Sequence, residues 1–299
     1  MTVQPAAANK QPALHVMLVD GSGFLWRAFH GFPDRRHSDG TPTNAVLGFV
    51  SMVLRPIIER AKTTHIAILF DTDQPTFRHE LYPAYKGERP PPPDDIVVQF
   101  PLTREATRAF GLPCIEQPGY EADDLIATYT RATLDAGGVV TVVSSDKDLM
   151  QLLRPGVRLY DPHKKLFRTP DDVEKKFGVR PERVVDVQAL AGDSTDGIPG
   201  VPKIGIKTAA ELITRFGSLE GLLASIDEIA QPKRRQQLRE HTQDARISKQ
   251  LATLKDDVPL EVPLHGLAVK GPDLEAVRAF VDRLELGSAA IPRSWRGAA

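Results

Sequence analysis

Three short apolar runs in this chain lead into aspartates: HVMLVD into Asp20, HIAILFD into Asp71, and VVTVVSSD into Asp146. Unbroken apolar runs of this length, closed by Gly, Ser or Asp, read as strands buried on both faces. Between them the spacing is helical. Val46, Val50, Val53, Leu54, Ile57 and Ile58 share one face of a helix expected from Thr43 to Arg60, with Pro56 kinking or restarting it. Strands are expected at 15–20, 65–71, 139–145 and 157–160, and Cys114 is expected as a small buried strand residue. Strands alternating with helices imply the α/β class, with a mostly parallel central sheet and helices on both faces. In such sheets ligands bind beyond the carboxyl ends of the strands, which is where Asp20, Asp71, Asp146 and Asp148 fall.

Five more acids join these four: Glu121, Asp123 and Asp124 in GYEADDLIA, and Asp193 and Asp196 in LAGDSTDGIPG. Glu121 and Asp124, three apart, are expected on one helix face, with Asp123 offset. In extended chain Asp146 and Asp148 would point to the same side. Two like charges about 4 Å apart repel by about 4 kcal/mol at an effective dielectric near 20. A site gathering many of them needs cations or must hold some acids protonated. Oxygen-only ligation suits two Mg²⁺ or Mn²⁺ ions, and such a pair suits phosphodiester cleavage.

The remaining chemistry is narrower. No glycine-bounded GKT or GKS, no nucleophile elbow around Ser144-Ser145 and no His-rich zinc spacing occurs in the 299 residues. A net charge of −1 means that nucleic-acid binding must come from local basic patches. One such patch is Arg78, Tyr82, Tyr85, Lys86 and Arg89 in FRHELYPAYKGERPPPP, where cations interleaved with aromatics suit a single strand. The four prolines that follow favour extended chain. A second is GVPKIGIKTA, where Gly200 and Gly205 bracket a turn before a helix opened by Lys207 and Thr208, and Lys203 adds charge. Such a turn exposes backbone N–H groups to phosphate. PKRRQQLREH reads either as a solvated helix face or as a phosphate contact. A single cysteine excludes an internal disulfide. No apolar run approaches the roughly 20 residues of a membrane span, and the opening MTVQPAAANKQPAL is not a secretory signal. Residues 1–13 are expected to be a disordered leader, and the protein cytoplasmic.

Taken together, LVDGSGFLWRAFH, FDTDQPTFRHELYPAYKGERPPPP, GYEADDLIAT, VVSSDKDLMQL, VVDVQALAGDSTDGIPGVPKIGIKTAAELI and QPKRRQQL resemble the 5′-nuclease family. Within it they are most similar to the exonuclease domain at the front of bacterial DNA polymerases I. The resemblance implies a PIN-like fold, with a catalytic domain over 14–185 and a helical arch over about 77–99. It places a helix-hairpin-helix subdomain at 186–265 and a terminal helix and tail at 266–299. It implies one metal group at Asp20, Asp71, Glu121, Asp123 and Asp124, and a second at Asp146, Asp148, Asp193 and Asp196. Lys86, Arg89 and Arg27 are implied to meet the scissile phosphate. Arg78, Tyr82, Tyr85, Gly200, Lys203, Gly205, Lys207 and Thr208 are expected at DNA, and K⁺ on the carbonyls of Val201 and Ile204. The implied substrate is DNA with 5′ ends or flaps, cut by a monomer working with a separate polymerase. No polymerase-like stretch follows within the chain, so a standalone nuclease and the front part of a polymerase both stay open.

Overall fold

The computed structural model describes residues 14–60 and 63–295; the expected leader at 1–13 and the last four residues of the expected tail lie outside the described residues. The chain runs β1 His15–Asp20, α1 Gly21–Gly31, α2 Asn44–Phe49, α3 Arg55–Arg60, β2 His65–Leu69, α4 Phe77–Leu81, α5 Asp94–Val97, α6 Gln99–Ala109, β3 Cys114–Ile115, α7 Ala122–Asp135 and β4 Val139–Val143. It continues through β5 Val157–Asp161, β6 Leu166–Arg168, α8 Pro170–Phe177, α9 Val184–Ala191, α10 Ile206–Phe216, α11 Leu219–Ala224, α12 Pro232–Glu240, α13 Thr242–Ala252 and α14 Leu274–Arg283.

The six strands lie in the order β3-β2-β1-β4-β5-β6. The first five are parallel and β6 turns back antiparallel on β5. From β1 the chain fills one side through β2 and β3, then crosses to the other side with β4. The carboxyl ends of β1 and β4 therefore flank the switch point where a crevice opens.

The sheet is buried on both faces, as its apolar runs require. Val16 and Leu18 of β1 pack with α7, α9, α10 and the helices beyond them. Val19 points the other way, into a core shared by Phe24, Val46, Phe49, Phe110 and, from α14, Val277 and Phe280. The 186–265 helices thus share a core with the sheet, while α14 returns to the opposite face. The expected helix over 43–60 forms as α2 and α3 joined by a π-helical stretch at Val50–Leu54. Pro56, which has no N–H to give, is the second residue of the restarted helix.

Cys114 lies in a strand, β3, as expected, but is only half-buried, and β6 had no sequence signal. β3 has two residues, and β6 has three with no alternating pattern. The expected arch is helical only at its ends, α4 and α5, with turns and extended prolines between. Four prolines in a row cannot continue a helix.

Candidate active site

Five carboxylates form a floor at the strand ends. Asp20, the last residue of β1, also caps α1: it accepts the Gly23 N–H at 2.7 Å and the buried Ser144 hydroxyl at 2.8 Å. Asp71 follows β2. It donates its N–H to Ser22 Oγ at 2.8 Å and accepts the Ala122 N–H, the first of α7, at 2.8 Å. Its carbonyl accepts from Arg104 at 2.6 Å. Asp123 is the second residue of α7, where the helix dipole favours negative charge. Asp146 and Asp148 follow β4.

The expected extended path for that last pair is corrected, because β4 stops at Val143. Ser144 Oγ takes the Asp146 N–H at 3.0 Å, Asp146 takes the Asp148 N–H at 2.8 Å, and a 3₁₀ turn begins at Asp148. Local side-chain bonds replace the strand ladder there.

With Glu121, Asp193 and Asp196, these five line one cavity of about 300 Å³. Its electrostatics follow from burial and like charge. Asp20 is pushed up to about 6, chiefly by burial and further by Asp71 and Asp146, against the bonds from Gly23 and Ser144. Asp148 is pushed up to about 6 by burial and by Asp146. Burial, then Asp146, Asp20, Asp71 and Asp148, hold Asp123 well above the usual carboxylate range.

The other three acids form a rim, and each has a cation of its own. Glu121 accepts from Lys86 Nζ at 2.7 Å and from the Tyr85 hydroxyl at 3.2 Å. Asp196 accepts from Arg89 at 2.5 Å, while Arg89 Nε reaches the Thr195 carbonyl at 3.2 Å. Asp193 accepts from Lys147; burial raises its pKa, but this bond and charge outweigh burial and hold it below the ordinary range. Segment 84–89 is stitched to 193–197, with the Lys86 N–H on the Asp196 carbonyl at 2.8 Å. Gly197 makes that approach possible: its φ is +67°, and a Cβ there would lie 2.7 Å from the Ala84 carbonyl oxygen.

Two expected site residues are corrected outright. Asp124 is 0% exposed and lies outside the cavity lining. It is the third residue of α7 and closes a capping box with Glu121, accepting the Glu121 N–H at 3.1 Å. The box buries Asp124 and leaves Glu121 at the cavity. Arg78, expected at DNA, is 1% exposed and binds Asp124 through both terminal nitrogens at 2.7 and 2.8 Å. Its Nε donates to the Leu251 carbonyl at 2.8 Å, and the Lys255 N–H reaches Asp124 at 2.9 Å. This ion pair pins the arch base, α7 and the end of α13 together.

Tyr85 is also corrected as a stacking platform: it is 3% exposed with its hydroxyl on Glu121. Tyr82 is half-buried against Tyr85, Ile198 and Leu251. Arg27, on α1, is tethered to Ser145 at 2.9 Å and does not line the cavity.

The 193–208 segment joins α9 to α10. Gly200 sits at φ +61°, and a Cβ there would lie 2.4 Å from the Gly192 nitrogen, so only glycine fits. Val201 and Ile204 bury their side chains, and the Val201 carbonyl accepts the Ile204 N–H at 3.1 Å. Lys203, Gly205 and Lys207 are exposed and Thr208 is half-buried at the N-terminus of α10, which has no side-chain cap.

Sequence reasoning missed four residues that shape the site: Ser144, Lys147, Gln188 and Arg104. Lys147 lies between two acids, so its position was a signal. Gln188 sits on α9, 40 residues from the acid it contacts, and had none.

A divalent cation suits this donor set, since the floor offers only carboxylate oxygens and charge that burial leaves uncompensated. Among the described residues no three acidic, His or Cys side chains already surround one point, so ligation requires the floor carboxylates to close in.

A crevice of hard oxygen donors at a switch point, with Lys86 and Arg89 in its lining, carries the groups that phosphodiester cleavage needs. Two family profiles match the chain: the 5′–3′ exonuclease N-terminal resolvase-like domain over residues 15–178, and the 5′–3′ exonuclease C-terminal SAM fold over 179–275. DNA polymerase I of Rhizobium leguminosarum is 49% identical over 279 residues, covering 91% of this chain and 27% of the relative. DNA polymerase I of Bacillus caldotenax is 42% identical over 273 residues, covering 90% of this chain and 31% of the relative. The chain belongs to the 5′–3′ exonuclease family, a family of nucleases, and spans less than a third of the length of these two relatives. The fold is also that of zinc-bound T5 5′-exonuclease, with a TM-score of 0.69 at 20% identity over 93% of this chain and 100% of that one. The catalytic core of Rad2 in complex with DNA substrate gives a TM-score of 0.61 at 16% identity over 93% and 89%. No helix among the described residues is long and apolar enough to cross a membrane.

Proposed function

We propose that this chain cleaves DNA phosphodiesters at 5′ ends and 5′ flaps, using two divalent cations, Mg²⁺ or Mn²⁺. The observation that supports this most is the meeting of acids and cations in one cavity: eight carboxylates face Lys86 and Arg89 there. Asp20, Asp71, Asp123, Asp146 and Asp148 would hold the cations, with Glu121, Asp193 and Asp196 at the edge. Bound cations supply Lewis-acid polarisation of the phosphoryl oxygen and a water deprotonated at neutral pH. Lys86 and Arg89 exchange Glu121 and Asp196 for the phosphate and offset its charge. Arg27 steadies the strand from its tether on Ser145. The turn before α10, with Lys203, Lys207, Thr208 and the N–H groups from Gly205 on, holds the duplex by its backbone, which needs no base contact. K⁺ is assigned to the carbonyls of Val201 and Ile204. The T5 enzyme crystallised as a pseudo-enzyme-product complex with DNA and metal ions, and Rad2 with DNA substrate, favour the same partner here. The acting unit is assigned as a cytoplasmic monomer working with a polymerase, either separate or continuous with it.

The test is direct. A 5′-labelled flap duplex incubated with the protein and Mg²⁺ yields short 5′ products, and EDTA abolishes them. No short products in Mg²⁺ overturns the assignment.

A further inference from the structure

The side-chain amide of Gln188 is satisfied on one side only. It projects from α9, is 5% exposed and lines the acid cavity. Its Nε2 donates to Asp148 Oδ1 at 2.6 Å. Its Oε1 is buried with no hydrogen-bond partner. Two other side-chain oxygens share that condition among the described residues, on Thr72 and Thr130, and neither lines this cavity. An ionised carboxylate only accepts, so the amide nitrogen must face Asp148 and the oxygen is the atom left over. A buried acceptor without a partner is a loss that an apolar side chain of similar size would avoid. The cations that line the cavity, Arg78, Lys86, Arg89 and Lys147, are bonded to Asp124, Glu121, Asp196 and Asp193, so the donor that suits this acceptor comes from outside, as a water bound to a cation.

We propose that Gln188 is a positioning residue for the divalent-cation site: Nε2 fixes the carboxylate of Asp148, and Oε1 accepts from a water of the cation that Asp148 helps to hold. This rests on the cation-dependent reading above and adds a residue to it. The two halves of the amide do different things, and substitution separates them. Gln188→Met loses both. Gln188→Glu loses the donor to Asp148 but keeps the acceptor and adds charge.

The experiment is calorimetric titration of Mn²⁺ into the full chain without DNA, for wild type and both variants, with thermal melts in EDTA to check folding. Wild type binds Mn²⁺. Gln188→Met weakens one site by about tenfold, the low end of the range for residues that orient metal ligands. Gln188→Glu binds at least as tightly as wild type. Both variants lose the bond to Asp148, so equal weakening in both would mean that Gln188 only props that carboxylate, and the proposal falls. Unchanged binding in Gln188→Met also overturns it. If Gln188→Met does not fold, the glutamate variant decides alone: weaker binding than wild type refutes the acceptor role. No Mn²⁺ binding by wild type would instead remove the cation reading of the cavity, and this proposal with it.

Discussion

The floor and the rim of the cavity are built from the same side chains and behave as opposites. Asp20, Asp71, Asp123, Asp146 and Asp148 face one another with hydroxyl, amide or backbone donors at most, and burial leaves three of them well above the usual carboxylate range. Glu121, Asp193 and Asp196 carry Lys86, Lys147 and Arg89 as built-in counter-ions. A carboxylate's role here is therefore set by the nearest cation that the fold supplies. Where it supplies none, the cation must come from solution. Where it supplies one, that cation is available to exchange partners with a phosphate. The ninth acid, Asp124, shows the third possibility: paired inside the protein, it becomes structure.

The largest effect expected from this contrast is on cleavage. Asp146→Ala should slow single-turnover cutting of a 5′ flap by about three orders of magnitude, because metal charge stabilisation contributes several kcal/mol and each 1.4 kcal/mol is about tenfold. Duplex binding measured in Ca²⁺ should change little. Asp193→Asn, whose charge Lys147 already matches, should lose only about tenfold, or about 1.4 kcal/mol. Equal losses at the two positions would erase the distinction between floor and rim.

Stability separates the ninth acid from the other eight. Arg78→Met leaves Asp124 buried without its partner and should cost about 3–5 kcal/mol in urea unfolding. Adding Asp124→Leu should recover much of that loss. A neutral single variant would mean that the pair does not pin the three segments.

A pH comparison is gentler. Asp20 and Asp148, near 6 when folded, lie above an unfolded value of about 3.9. The folded state therefore binds more protons between those values, and these two groups destabilise the metal-free chain as pH rises from about 4 to about 6. Asp193 has the opposite sign: its lowered value contributes stability above the unfolded pKa that is lost as pH falls. Mg²⁺ should accordingly raise the melting temperature more at about pH 7.5 than at about pH 5. An equal rise at both would contradict the repulsion assigned to the floor.

The smallest effect lies at the glycine turn. Lys203→Ala and Lys207→Ala should each flatten the log–log salt dependence of duplex binding by about 0.9. An unchanged slope would remove them from the interface.

Much of the floor was legible in the sequence because each apolar run ends at or near its acid, so period and position coincide. Asp20 needed nothing more than HVMLVDG. The rim was not legible in the same way. Glu121 and Asp196 meet Lys86 and Arg89 across 35 and 107 positions, and no local pattern encodes those pairings. Asp124 read as a ligand because EADD offers three acids within four residues; what buries it is an arginine 46 positions away. Tyr85 read as a stacking surface for the same reason, since an aromatic among cations looks alike whether it faces solvent or the core.

The most direct measurement is anomalous diffraction from crystals of this chain grown with Mn²⁺. The account predicts manganese peaks at about 2.0–2.2 Å from carboxylate oxygens of Asp20, Asp71, Asp123, Asp146 or Asp148, a spacing usual for hard cations on oxygen. Manganese on Asp193 and Asp196 alone, with no peak at any of those five, would contradict it.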